Sequence, residues 1–195
     1  QALLLSGISM KLAGSSAPAS GAEHLISHYW DMCAGREGRS EGLHGLQVGV
    51  ATLLCAALYE EILRLEPEKI RPEELVRGAT VETESDFAKL HRGWEKQARE
   101  ELALKTLDQE GLYAELCKLR DGWSQLIAFL RENFRSLDQI RQILQRAGCP
   151  ITIEELGLNR EHVERAWRAA RHIRGRFTVL DLAWELGLLE QYKDV

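Results

Sequence analysis

Three histidines, His24, His28 and His44, fall within the first 44 residues of the chain. His24 and His28 are four residues apart, a spacing that sends both side chains from one face of a helix. His44 stands in the first turn of the next helical segment. A neutral imidazole offers a lone pair to zinc, nickel or iron(II), so two histidines from adjacent helix starts can supply half of a tetrahedral metal site. The same ring can move a proton near neutral pH. On spacing alone, such a pair is more often exposed or hydrogen-bonded than bound to a metal.

The segments around these histidines read as helix and turn. Gly14-Ser15-Ser16-Ala17-Pro18-Ala19-Ser20-Gly21 consists of small residues and prolyl backbone, which predicts a tight turn that a ligand could approach closely. Ser20 and Glu23 have capping-box spacing and predict a helix over 22–32. After a polar stretch from Ala34 to Gly42, a second helix is expected from about Leu43 to Leu65, apolar nearly all round and therefore central. Amphipathic helices follow over 73–78, 85–104, 109–134 and 137–147. Ser136 with Gln139, Thr152 with Glu155 and Thr178 with Asp181 have capping-box spacing, and Gly148-Cys149-Pro150 is a helix stop. No alternating strand of useful length and no internal repeat is present. The expectation is an all-α fold, one helical domain over 1–195. Gln1 already sits in a helical pattern with no cap before it, which suggests a helix entered part-way and a chain cut from something longer.

Composition narrows the function. There are 25 Lys+Arg against 30 Asp+Glu in 195 residues, a formal net charge of -5 with both signs interspersed. This argues against nucleic acid or an anionic membrane as partner. No uninterrupted apolar run approaches the roughly 18 residues of a membrane span. The four cysteines are scattered without a CxxC pair, and no secretory leader pattern is present, so reduced thiols and a cytoplasmic location are expected. His91, His162 and His172 read as exposed on polar helix faces, and Asp31, on the face of His24 and His28, as a group that could orient an imidazole. The arginines between 160 and 176 could serve phosphate recognition, but they read better as the solvated face of a helix whose other face is Val163, Ala166, Trp167, Ala170 and Ile173. The five tryptophans read as packing residues.

The run from Gly14 through His28, with Leu43-His44-Gly45-Leu46-Gln47-Val48-Gly49-Val50, resembles the glycerol-1-phosphate dehydrogenase family, and Arg176-Phe177-Thr178-Val179-Leu180-Asp181 extends the likeness toward the end of the chain. The resemblance implies the helical, metal-binding C-terminal domain of the dehydroquinate synthase-like and glycerol dehydrogenase fold, with an N-terminal nucleotide-binding domain as its missing partner. It implies that His24 and His44 are metal ligands, with a third, carboxylate ligand from that other domain, and that His28 is the catalytic proton-relay or substrate-contacting group. Ser15, Ser16 and Ser20 are the candidate substrate contacts. The implied cofactors are a divalent metal, zinc first with nickel or iron as alternatives, and NAD(P) bound only with the missing domain. The implied substrate is a small phosphate ester. In the family's chemistry the metal polarises the substrate oxygen while hydride passes between the carbinol carbon and the nicotinamide.

Two positions depart from the family pattern. Ala17 replaces a residue that is commonly Arg, and Leu46 one that is Glu, which puts substrate identity in doubt. No GxGxxG turn or Walker A sequence is present, so the chain alone is expected to bind no NAD and to be catalytically inert. Two other readings remain open: a 3-dehydroquinate synthase-like lyase domain, and a non-catalytic helical interaction module. Apolar surface around Ala2 to Met10 and along the turn at Ser15 to Ser20 is expected to be exposed, which would favour a homo-oligomer.

Overall fold

The computed structural model describes residues 2–79 and 83–189, without the side chains of Ala2 and Leu3. The helical start expected at Gln1 lies outside them. The described residues form eleven α-helices joined by short 3-10 turns, with no strand, as an all-α chain requires. These are α1 (Ala2–Ala13), α2 (Ala22–Ala34), α3 (His44–Arg64), α4 (Pro72–Gly78), α5 (Glu84–Leu90), α6 (Glu95–Ala103), α7 (Gln109–Asp121), α8 (Trp123–Asn133), α9 (Leu137–Arg146), α10 (Arg160–Ala169) and α11 (Val179–Glu185).

The core is built on the packing of α2 against α3, with α8, α9 and α11 also against α3 and α10 against α2. On α2, Leu25, Ile26, Tyr29, Trp30 and Cys33 follow the i, i+4 rhythm of one face and are buried. His24, His28 and Asp31 occupy another face. One helix thus anchors itself and presents the histidines. On α3, Ala51, Cys55, Leu58 and Ile62 enter the core, while Val48, Leu54 and Ala57 are half-buried. By length and composition α3 could cross a membrane, but here the neighbouring helices cover much of it.

Two expected long helices are each broken once. The segment 85–104 divides into α5 and α6 at His91–Trp94, where Gly93 takes φ 91°, a conformation L side chains rarely adopt. The segment 109–134 divides at Gly122, the last cap of α7 and the first of α8, and Trp123 turns inward to donate its indole N–H to Leu65 O at 3.0 Å. The apolar rhythm runs across both breaks, so the pattern alone could not reveal them.

The caps separate in the same way. Ser136 with Gln139 and Thr178 with Asp181 form reciprocal capping boxes. Thr152 and Glu155 also bond, but open the 3-10 turn Glu154–Leu156 rather than a helix. Ser20 does not cap α2: Gly21 is the N-cap, and Glu23 reaches back to accept its N–H at 2.8 Å.

The remaining histidines correct the sequence reading. His91 is 0 % exposed and His172 2 %, and their rings meet with His91 Nε2 and His172 Nδ1 2.8 Å apart. His172 Nε2 is 2.9 Å from Arg171 Nη1. A guanidinium can only donate, so His172 accepts at Nε2, carries its proton on Nδ1 and donates it to His91. Arg171, also buried against expectation, donates to Asp181 Oδ1 at 3.0 Å, and Lys105 Nζ lies 2.8 Å from the same oxygen. Burial, then the Arg171 charge, lowers the His172 pKa to about 2, and burial lowers that of His91 to about 4. His162 is half-buried between Asn159 and Glu37 and closes the capping box of α10. Chemical need inside the core, not helix amphipathicity, governs where these rings lie.

Candidate metal centre

The polypeptide brings the three early histidines together. The His44 ring centroid lies 5.2 Å from that of His24 and 5.1 Å from that of His28. His24 is half-buried, and His28 and His44 are exposed. One potential ligand atom from each of His28, Asp31 and His44 falls within 4.8 Å of the others.

Hydrogen bonds fix which nitrogen two of the three rings offer. The Asp31 carboxylate can only accept, so the Gln47 amide nitrogen, 3.0 Å from Oδ1, faces it. That orientation turns Gln47 Oε1 toward Ser27 Oγ, which donates to it at 2.7 Å. With its one proton committed, Ser27 Oγ accepts from His44 Nδ1 at 3.0 Å. His44 is therefore held with its proton on Nδ1 and its Nε2 lone pair open. His24 reaches the same state more simply, because its Nδ1 lies 2.8 Å from Glu23 Oε1, an acceptor. Nδ1 tied to an acceptor and Nε2 open is the arrangement that orients a histidine for a cation. His28 has no hydrogen-bond partner among the described residues, and its pKa is lowered by burial first, then by His44, His24 and Arg174, with Asp31 opposing.

Ser27 and Gln47 were not singled out in the sequence. Both are buried polar residues next to apolar ones, Ser27 ending Leu25-Ile26 and Gln47 between Leu46 and Val48, each three residues after a histidine. That interruption was the available signal.

The turn before α2 starts at Gly14, φ 63°, and continues as the 3-10 turn Ala17–Ala19. Its serines differ in their surroundings. Ser15 Oγ accepts the Ala17 N–H at 3.3 Å, Ser16 is exposed, and Ser20 Oγ accepts from Arg176 Nη2 at 3.2 Å. Beside the histidines lies a cleft of about 310 Å³ with His28, Asp31, Met32, Trp94, Gln97 and Arg174 among its walls.

Comparison with known proteins gives a consistent direction. The chain is 34% identical over 193 residues to the glycerol-1-phosphate dehydrogenase [NAD(P)+] of Geobacillus stearothermophilus, which covers 97% of this chain and 38% of that protein. It is 31% identical over 192 residues to the enzyme of that name from Geobacillus thermodenitrificans, again 97% of the chain and 38% of the relative. Over nearly its whole length the chain is similar to the glycerol-1-phosphate dehydrogenases. A shorter stretch of 73 residues, 37% of this chain and 18% of the relative, is 48% identical to the corresponding protein of Halalkalibacterium halodurans. The chain spans about two fifths of the length of the two Geobacillus relatives. No family model and no solved structure matches it. At the two departures from the family pattern, Ala17 is exposed in the turn and Leu46 is half-buried. The acceptor beside His44 is the Ser27 hydroxyl, supplied by α2.

Proposed function

We propose that this chain is the helical, metal-holding domain of an NAD(P)-dependent oxidoreductase of the glycerol-1-phosphate dehydrogenase kind, interconverting dihydroxyacetone phosphate and glycerol 1-phosphate. The carrying observation is the pair His24 and His44, with Nδ1 atoms tied to Glu23 and Ser27 and Nε2 atoms open. The donor set fits a borderline cation such as zinc, with nickel or iron as alternatives. A divalent cation held there would supply Lewis acidity to a substrate oxygen. Glu23 and the Ser27–Gln47–Asp31 chain orient the two imidazoles, and His28 presents an uncommitted ring to the cleft, placed to take or return a proton. Nicotinamide binding and a third, carboxylate ligand belong in this reading to a separate nucleotide-binding domain, so the chain alone is inert. A cytoplasmic setting and self-association through the exposed Leu4, Ile8 and Leu12 of α1 go with it.

A second reading has a specific observation in its favour: His28, Asp31 and His44 are the tighter donor group, and they form a self-contained set. Zinc titration calorimetry separates the two. On the first reading binding is weak, is abolished by His24→Ala or His44→Ala, and is reduced less by His28→Ala. Tight stoichiometric binding that survives His24→Ala and is lost in His28→Ala or Asp31→Asn would establish the second. Tight binding that survives both His24→Ala and His44→Ala would end the assignment of these two ligands.

A further inference from the structure

The connection between α10 and α11 carries two arginines that form no salt bridge among the described residues, although Asp31 and Glu41 line the same cleft as Arg174. Arg174 has one hydrogen bond among the described residues, from Nη1 to Ile173 O at 3.2 Å, and no carboxylate partner. Arg176 donates from Nη2 to Ser20, while its Nε is buried with no acceptor among the described residues. A buried guanidinium N–H without an acceptor is costly and points to an absent acceptor. Both reach α2 or the turn before it from far along the chain. Arg176 meets Ser20, four residues before His24, and Arg174 shares the cleft wall with His28, four residues after it.

The connection is also held in place. Between the arginines, Gly175 donates its N–H to Glu101 at 2.6 Å, and a Cβ there would stand 2.6 Å from Leu104 Cδ1 and 3.3 Å from the Glu101 carbonyl oxygen. Lys105, fixed by Asp181, donates to the carbonyls of Arg171 at 2.5 Å and Arg176 at 3.1 Å. The buried ion-pair group thus grips the backbone on both sides of Arg174. Two guanidinium groups on a clamped segment, Arg176 against the uncharged turn before α2 and Arg174 on the wall of the His28 cleft, offer a pre-organised set of donors for a tetrahedral dianion.

We infer that Arg174 and Arg176 hold the phosphate of a small phosphate monoester, with its carbon chain lying in the His28 cleft. This rests on the reading of the site given under Proposed function and adds the residues that select the phosphate. Arginine suits the task because its planar fork can donate two parallel N–H bonds to two phosphate oxygens.

Titration of the 195-residue chain with sn-glycerol 1-phosphate, inorganic phosphate and glycerol tests the inference. Glycerol 1-phosphate should bind, glycerol should not, and inorganic phosphate should bind more weakly because it leaves the cleft unfilled. Arg174→Ala and Arg176→Ala should each weaken glycerol 1-phosphate binding by about tenfold or more. Arg174→Lys should recover part of the loss, and the exposed control Arg131→Ala should match wild type. Zinc uptake should be unchanged in all four variants, and unchanged melting temperatures verify that they fold. Failure of zinc binding together with arginine-dependent phosphate binding would support this inference while defeating the metal assignment. Glycerol 1-phosphate binding that is absent in wild type, equalled by glycerol, or indifferent to both alanine variants overturns it.

Discussion

The molecule contains two groups of histidines with opposite fates. His24, His28 and His44 gather at the surface, with two of the rings tied at Nδ1 and open at Nε2. His91 and His172 meet in the interior, where Arg171 and each ring's partner consume every nitrogen except His91 Nδ1. Local spacing separates them poorly, since all five lie in or beside helices. The difference is in what faces the ring. A short polar relay through Ser27, Gln47 and Asp31 leaves a lone pair available, whereas an ion-pair group around Asp181 spends the rings on structure. The interior pair and its charges also hold the segment carrying Arg174 and Arg176, so the second group supports the surroundings of the first.

The largest effect should come from the interior group. Asp181→Ala leaves Lys105 and Arg171 buried without their shared carboxylate and should destabilise the fold by about 3–5 kcal/mol in urea unfolding. A cost under about 1 kcal/mol would show that these charges find water and that the interior group is not what it is taken to be.

Next is the pH dependence of the same group. His91 and His172 have folded pKa values depressed to about 4 and about 2, while the unfolded chain takes up protons near about 6.5. Their contribution is therefore complete above pH of about 6.5 and is lost as the pH falls through that value toward the folded pKa values, by up to about 1.4 kcal/mol per unit for each ring. Chemical denaturation should give a midpoint that falls steadily from pH 7 to pH 5. In His91→Phe/His172→Phe the fall over this interval should be shallower, and an unchanged slope would count against the buried neutral pair.

For the surface group, Ser27→Ala removes the acceptor that fixes the His44 tautomer. Zinc affinity of the folded protein should drop by about tenfold to a hundredfold, the range for loss of a group that orients a ligand. An unaltered affinity would mean that the relay does not prepare His44. The smallest effect is expected on the exposed face of α1. Leu4 and Leu12 are 70 % and 83 % exposed on α1, so Leu12→Ser should change the stability of the monomer by less than about 0.5 kcal/mol, while reducing any self-association seen by sedimentation.

Much of this was legible in the sequence. Helix periodicity marked α2, α3 and α9, and the pairs Ser136/Gln139 and Thr178/Asp181 fixed two helix starts, because these signals act over four residues and depend little on what lies beyond. The i, i+4 spacing put His24 and His28 on one face for the same reason. The cap expected of Ser20 falls one residue later, at Gly21, whose amide Glu23 serves, while Ser20 Oγ accepts from Arg176.

Only the tertiary structure decided the rest. That His44 stands within stacking distance of both α2 histidines depends on how α3 crosses α2, and its tautomer depends on a chain of donors whose members are up to 20 residues apart in sequence. The burial of His91 and His172 depends on contact across 81 residues, and the placing of Arg174 and Arg176 on a glycine fitted against α6. Helix type and face are set by neighbours along the chain. A hydrogen-bond partner is set by whichever donor or acceptor the packing delivers, and a buried polar group must find one wherever in the sequence it lies.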